Sequence, residues 1–387
     1  MNHTASPHHH HHIPIHLPHP ISVLKWMKKN AVLCIAFALA VITSCIVTPD
    51  AAYKDYFDWK TLSCLFSVLA VVCALKNIRF FTVLARKIVS LTGNLRTAVI
   101  ALVYITFIGS MLIANDMALL TFLPLGYFVL NATQNERYMA PVFILQNIAA
   151  NLGGMLTPFG NPQNLYIYSY FKIPTGEFMG IMLPIFLLAV AMITICCLFF
   201  PGVTIQLSDT FDVKLSPRRT VFYLALFTLA IVMVFRVIPY YIGLILIIIG
   251  LLFTDRKALR AVDYPLLLTF VCFFIFAGNM SRIPSVSRLL TDLMAKSELL
   301  VSIASCQIIS NVPSAILLSR FTDNYRSLLL GVNIGGTGTL IASLASLITF
   351  REYTSHNPNK AGRYIAVFSA FNFGFLIVLT LFAWITL

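Results

Sequence analysis

One sixteen-residue motif occurs twice in this chain, once in each half. Residues 151–166 read NLGGMLTPFGNPQNLY, and residues 333–348 read NIGGTGTLIASLASLI. At a constant offset of 182 they align Asn151 with Asn333, Gly153 with Gly335, Gly154 with Gly336 and Thr157 with Thr339. Each copy sits inside an apolar stretch long enough to cross a bilayer. Each also follows a polar island, IANDMALL at 113–120 and ISNVPSAIL at 309–317. Irregular backbone survives at membrane depth only where it is buried in protein or lines a cavity. Paired interruptions in corresponding positions of two halves therefore point to the binding site of a secondary transporter.

Composition agrees with a membrane setting. The 387 residues are 59% hydrophobic and only 11% charged, with a mean hydropathy of +0.86. A soluble domain carries about 25% charged residues. Repeated apolar runs of this length predict an all-α polytopic membrane protein. A β-barrel would alternate polar and apolar residues, and these runs do not. The net charge of +13 comes from short Lys/Arg clusters between apolar segments. That is the positive-inside pattern, so the basic balance orients the chain and implies no nucleic acid.

The eight cysteines lie almost wholly in apolar segments without CxxC spacing and read as core-filling thiols. Cys306 lies nearest a polar island. Residues 1–20 hold eight of the nine histidines and read as a tag or disordered leader, outside the fold.

The rest divides into a first transmembrane repeat (21–200), a cytoplasmic linker (201–220) and a second, inverted repeat (221–387). Apolar segments at 31–48 and 61–75 make helices, and 77–93 makes an amphipathic surface helix carrying Arg79, Arg86 and Lys87. Residues 95–130 are interrupted at Asn115-Asp116 and form either two spans or, preferably, a re-entrant hairpin with its tip at 114–116. Residues 138–170 form a span broken at Gly160-Asn161-Pro162, and 178–200 form a return span. The second half adds spans at 221–238, 241–254 and 264–280, then a surface helix at 283–296. A second hairpin at 297–326 has its tip at Ser310-Asn311. A broken span at 327–350 and a last span at 364–386 follow. The count is about nine spans plus two hairpins. This path puts 18 of the 27 Lys/Arg on the cytoplasmic side, the N-terminus in the cytoplasm and the C-terminus outside the inner (plasma) membrane.

A helix broken at membrane depth offers N–H groups at one half-helix start and C=O groups at the other half-helix end, suited to anions and to Na⁺ respectively. Gly153, Gly154, Gly335 and Gly336 permit close approach and unusual dihedrals. Pro158 and Pro162 remove N–H donors. Asn161, Gln163 and Asn164 add amides in the first copy; Ser343 and Ser346 add hydroxyls in the second. Small-residue spacing in a membrane usually means packing alone, but duplication beside polar hairpin tips argues for a site. Asp116 is the acid nearest that site. An intramembrane carboxylate is a functional residue by default, and it can exchange a proton for a cation or for substrate. It can also cap the second hairpin helix, and the two roles are compatible.

These segments, ANDMALLTFLP followed by ANLGGMLTPFGNPQNLYI, resemble the ion transporter superfamily. That group includes arsenite/antimonite permeases, D-type sodium/proton antiporters, citrate transporters and sodium/dicarboxylate symporters. The resemblance covers about residues 60–386. It implies two inverted repeats, each with a re-entrant hairpin and a broken helix, an elevator-type moving unit and often a homodimer. The family's tip motif falls on Ala114–Asp116 and Ser310–Val312, and its broken-helix motif on Gly160–Asn164 and Ala342–Ser346. Dicarboxylate symporters carry Ser-Asn-Thr at both tips, and this chain carries Ala-Asn-Asp and Ser-Asn-Val. A carboxylate at the first tip would repel a di- or tricarboxylate. The tips look more like those of arsenite permeases and sodium/proton antiporters. Set against the larger members, the resemblance implies that about two of their N-terminal helices have no counterpart in these residues.

The expectation is a proton- or cation-coupled secondary transporter working by alternating access on a neutral oxyacid such as arsenite, or on Na⁺ itself. Asn115, Asp116, Gly160, Asn161, Gln163 and Asn164 would line one half-site; Ser310, Asn311, Thr339 and Ser343 would line the other. Na⁺ would sit at Asn115, Asp116 and Gly160, with Na⁺ or H⁺ as coupling ion and no organic cofactor. The alternative is a sodium-coupled citrate- or succinate-like symporter. An intramembrane enzyme is not expected: no histidine lies in any span, and there is no HExxH or aspartate pair.

Overall fold

A computed structural model describes Trp26, Met27, residues 30–205 and residues 215–387. The histidine-rich leader and the middle of the linker lie outside the described residues. Among those described, the chain is helical throughout apart from one isolated bridge, Asn94 to Thr204. Six helices are long and apolar enough to cross a bilayer. The protein is an all-α polytopic membrane protein.

The first half contains α1 (Ala31–Ile46), α2 (Trp59–Asn77), α3 (Phe80–Ser90), α4 (Leu95–Ile113), α5 (Asn115–Ala132), α6 (Met139–Gly153), α7 (Pro162–Tyr170) and α8 (Thr175–Leu198). The second contains α9 (Pro217–Val234), α10 (Tyr240–Thr254), the short α11 (Arg256–Arg260), α12 (Tyr264–Arg282), α13 (Pro284–Lys296), α14 (Glu298–Ile309), α15 (Asn311–Leu318), α16 (Tyr325–Ile334), α17 (Leu344–His356) and α18 (Ala361–Thr386). Side-chain caps fix several starts. Asp58 accepts from Thr61 N at 3.0 Å before α2, Asn94 accepts from Thr97 N at 2.9 Å before α4, and Asp263 accepts from Leu266 N at 3.0 Å before α12.

Burial runs opposite to the pattern of a soluble bundle. Every residue of α6 from Val142 to Gly153 is buried, polar ones included. The outer helices instead expose large apolar side chains: Leu187 and Ile195 on α8, Ile245 and Phe253 on α10, Trp384 and Ile385 on α18. A helix apolar all round needs either lipid or protein on every side. Here α6 takes the protein and the outer helices are left for lipid.

Two hairpins dominate the interior. The arms α4 and α5 are joined by Ala114 alone, and α14 and α15 by Ser310 alone. The first pair has 19 and 18 residues and the second 12 and 8. At 1.5 Å per residue the second pair reaches only about 18 and 12 Å, well short of a ~30 Å hydrocarbon layer. Ala114 has φ 67°, ψ 150° and Ser310 has φ 75°, ψ 159°. That region is almost reserved for glycine and costs a side-chain-bearing residue roughly 1–3 kcal/mol. In both hairpins the next residue is Asn, whose side-chain oxygen accepts the following N–H at 2.9 Å (Asp116 N on Asn115, Val312 N on Asn311). The two tips are therefore built alike.

The broken spans also agree. Helix ends at Gly153 and resumes at Pro162 in the first; it ends at Ile334 and resumes at Leu344 in the second. The first break is wider than its Gly-Asn-Pro core at 160–162, because unwinding starts at Gly154. The freed carbonyls have a side-chain partner there: Asn164 Nδ2 donates to Gly154 O and Met155 O, both at 3.2 Å. The equivalent threonines anchor each break to the hairpin ahead of it. Thr157 donates to Met111 O at 2.9 Å, and Thr339 donates to Gln307 O at 3.2 Å. The halves also interlock: α5 packs on α17, and α15 packs on α7.

Candidate functional site

The two tips and the two breaks meet. A cavity of about 210 Å³ is lined by Asn115 and Asp116 from α5, Pro162 and Gln163 from α7, Ser310 to Pro313 around the start of α15, and Leu344 from α17. Four helix N-termini thus converge on one small space. Each helix start carries roughly +0.5 elementary charge. Among the described residues, Asp116 is the one ionisable side chain in the lining. The far wall is apolar and comes from α1 and α12, through Ile35, Leu39, Leu266 and Phe273.

Behind the cavity runs a buried amide network that joins the halves. Asn115 Nδ2 donates to Asn151 Oδ1 at 3.2 Å, and Ser343 Oγ donates to the same oxygen at 2.8 Å. Asn161 Nδ2 donates to Asn151 O at 3.2 Å. Asn333 Nδ2 donates to Asn164 Oδ1 at 2.6 Å and to Leu329 O at 2.8 Å. One helix turn before Asn151, Asn147 Nδ2 donates to Ser346 Oγ at 3.3 Å. Such groups are costly in hydrocarbon unless they are paired.

Some polar atoms beside the cavity stay unpaired. Among the described residues, Asp116 Oδ1 and Gln163 Oε1 in the lining are buried without a hydrogen-bond partner, and so, behind the lining, are Asn161 Oδ1 and Asn151 Nδ2. Unsatisfied groups of this kind at a cavity wall are what an arriving ligand can satisfy.

The structure sorts the sequence-predicted residues into two sets. Asn115, Asp116, Gln163, Ser310 and Asn311 reach the cavity, as does Pro162. Gly160, Asn161, Asn164, Thr339 and Ser343 lie outside its lining and hold the breaks and the interface behind it. Ser310 and Asn311 also pin the second break: Ser310 Oγ and the Asn311 N–H both donate to Ala342 O, at 3.2 and 2.9 Å. The glycines act through close approach. A Cβ on Gly153 would meet Phe107 O, and one on Gly335 would lie 2.8 Å from Gly331 O and 2.9 Å from Cys306 Sγ. Cys306 is fully buried against the second break, where Ser110 stands in the first.

Sequence reasoning left out Asn147, Asn151, Asn333 and Gln307 as site residues. The signal for Asn151 and Asn333 was present, since they head the repeated motif. Asn147 lies four residues earlier on the same helix face. Gln307 had no repeat signal, because Met111 occupies its place in the first half. Its side chain nevertheless holds three backbone groups of the second break: Gly335 O at 2.8 Å, Thr337 O at 3.1 Å and Thr339 N at 2.9 Å.

A family model described as citrate transporter matches residues 22–325. An uncharacterized transporter of Methanocaldococcus jannaschii is 31% identical over 355 residues, covering 90% of this chain and 96% of the relative. An inner membrane protein of Escherichia coli is 30% identical over 305 residues, covering 76% and 80%. A silicon efflux transporter of Oryza sativa is 30% identical over 166 residues, covering 42% of this chain and 33% of that protein. With its duplicated hairpins and breaks, and with the family model matched across residues 22–325, the chain belongs to the citrate transporter family and is a multi-pass membrane transporter rather than an enzyme.

Proposed function

We propose that the chain is a secondary active transporter that moves a small neutral oxyacid, or a small inorganic ion, by alternating access. The cavity between the hairpin tips and the α1/α12 wall is its substrate site. The observation that carries this reading is the meeting of four helix N-termini with Asp116 in one cavity of about 210 Å³. Together the helix starts amount to roughly +2, spread over the rim. Asp116 offsets part of that field. A neutral oxyacid suits such a balance, because its hydroxyls donate to Asp116 and Gln163 while its oxygens accept from the helix starts. The rice relative is named a silicon efflux transporter, and silicon in neutral water is an uncharged oxyacid.

Asp116 is the coupling group in this reading. It takes a proton, or shares Na⁺ with Asn115 and the helix C-terminal carbonyls beside the tips, on one half of the cycle and releases it on the other. The tips, the breaks and α4 to α7 with α14 to α17 form the moving unit, which slides as an elevator against α1, α2, α9, α10 and α12. The two hairpins enter from opposite faces, the N-terminus lies in the cytoplasm and the C-terminus outside the plasma membrane. The working form is a homodimer.

The family description favours a second reading, sodium-coupled uptake of citrate or a similar carboxylate. The lining residues argue against it: among the described residues they include one carboxylate and no lysine or arginine. Two like charges 4 Å apart repel by about 4 kcal/mol at an effective dielectric of 20.

Purified protein in liposomes, with an internal pH dye and with uptake of radiolabelled citrate, tests both readings. Inward gradients of Na⁺, arsenite, silicic acid and citrate are imposed in turn. Proton movement driven by Na⁺ or by an oxyacid, and lost in Asp116→Asn, supports the first reading. Sodium-dependent citrate uptake without proton movement replaces it with the second.

A further inference from the structure

The sequence path leaves nine Lys/Arg on the side opposite the cytoplasm, and four of them converge. Lys60, Lys172, Arg236 and Arg320 line one pocket of about 390 Å³ at the N-terminal end of α2. The opposite end of α2, at Asn77, borders a separate pocket near Arg219 and Lys257. The central cavity shares none of these residues.

Two carboxylates face the four cations, Asp55 and Asp58. Asp58 is already engaged: its two oxygens accept from Thr61 N at 3.0 Å and Thr61 Oγ1 at 2.6 Å. None of the four cations forms an ion pair with a described carboxylate. The guanidiniums are held in place instead. Arg236 donates to Tyr168 O and lies 4.2 Å over the Tyr168 ring. Arg320 donates to Tyr56 O at 3.0 Å and lies 5.5 Å from the Tyr170 ring. After these contacts, Arg236 Nε and Arg320 Nε remain buried without an acceptor among the described residues, and the buried hydroxyl of Ser169 in the same lining has no hydrogen-bond partner among them.

Helix-end electrostatics account for part of this arrangement. Lys172 and Arg236 sit just past the ends of α7 and α9, with φ 53° and 63°, where a cation meets the negative helix terminus. Lys60 is different. It is the second residue of α2, beside a positive helix start, so the dipole opposes it. Four cations against two carboxylates leave the lining two positive charges in excess, and with its unused N–H donors and a free hydroxyl the pocket suits an acceptor carrying more than one negative charge.

We propose that this pocket binds the phosphate class of multivalent oxyanion, as free phosphate or sulfate or as the phosphate of a lipid headgroup. Its walls come from both sides of the molecule. Ser169 and Lys172 belong to α7 and its end, and Arg320 follows α15; both helices carry starts that line the central cavity. Lys60 and Arg236 belong to α2 and to the end of α9. A bound oxyanion ties these two groups of helices together.

The test is thermal unfolding of the purified full chain in detergent against increasing inorganic phosphate, sulfate or chloride at matched ionic strength. Phosphate and sulfate are expected to raise the midpoint saturably, and chloride is not. In Lys60→Gln and Lys172→Gln the half-saturating phosphate concentration should rise roughly tenfold, the order expected for losing one partly screened charge. Asp116→Asn should leave it unchanged. The same titration in nanodiscs of phosphatidylcholine, with or without phosphatidylglycerol, separates the sources. Competition by phosphatidylglycerol assigns the headgroup, and its absence assigns the free anion. Equal half-saturation in wild type and both lysine variants overturns the proposal. So does loss of the phosphate effect in Asp116→Asn alone, which would move the anion to the central cavity.

Discussion

Asn333 donates to Asn164 Oδ1 at 2.6 Å, and both amides are buried at the junction of the two halves. The bond joins the end of α16 to the start of α7, so the break in one half is closed by the helix of the other.

Asn333→Leu leaves Asn164 Oδ1 buried without a partner. The expected loss is about 1–3 kcal/mol of stability, read as a lower unfolding midpoint in detergent. The double variant Asn333→Leu/Asn164→Leu should lose clearly less than the sum of the two single changes, because the pair fails as a unit. Strict additivity would show that the contact carries no coupling.

Ala114→Gly should stabilise the protein. Ala114 holds a conformation nearly reserved for glycine, and relieving it returns roughly 1–3 kcal/mol. The extra chain entropy of glycine takes back about 0.5–1 kcal/mol. A rise in the unfolding midpoint is the expected result, and a fall would mean that the tip is not strained.

Gly154→Ala and Gly374→Ala form a matched pair. A Cβ at Gly154 would meet Asn161 Oδ1 and lie 2.8 Å from Gly160 O, both fixed parts of the first break. At Gly374 nothing lies within 4 Å. The first change should abolish transport and lower stability. The second should be neutral or add up to about 1 kcal/mol through helix propensity.

Asp116→Asn keeps the size of the side chain but removes its charge and replaces one acceptor oxygen by an NH2 donor. Folding and oligomeric state should match wild type by gel filtration. Ion-coupled flux should fall at least about tenfold, the effect of roughly 1.4 kcal/mol on the transport barrier.

Asp50 and Arg282 pair at 2.6 Å on the surface between α1 and α12. The guanidinium holds the Asp50 carboxyl below its ordinary value of 3.8. A depressed carboxylate adds stability that is present above its ordinary pKa and is lost as pH falls through the lowered value. Wild type should therefore lose more stability than Arg282→Gln when unfolding is followed from neutral pH into that acid range. High salt should shrink the difference, since the pair is exposed.

Much of this architecture was readable because duplication marks it. The tips at 114–116 and 310–312, a break within each of the spans 138–170 and 327–350, and the lipid-facing helices all follow from apolar run length and repeated polar interruptions, whereas the points where helix gives way, after Gly153 and Ile334, came only with the structure. The division of labour among the polar residues did not. Gln163 and Asn164 are neighbours in sequence, yet Gln163 faces the cavity while Asn164 closes a bond to the other half. Only the helix phase set by Pro162 decides between them. Gln307 was invisible for another reason: its partners are backbone groups 28 to 32 residues away, and backbone groups carry no sequence signal.

The cross-half bonds also bear on how the protein is made. When the ribosome has delivered only the first half, Asn147, Asn151 and Asn164 already lie on helices that belong in the bilayer. Their partners Ser346, Ser343 and Asn333 have not yet been translated. Asn151 Oδ1 and the Asn164 amide N–H groups also have partners within the first half, but until the second half arrives Asn147 Nδ2 and Asn164 Oδ1 have none among the described residues. A chain stopped between the halves therefore holds these two groups unpaired within the membrane, where each costs more than it would in water.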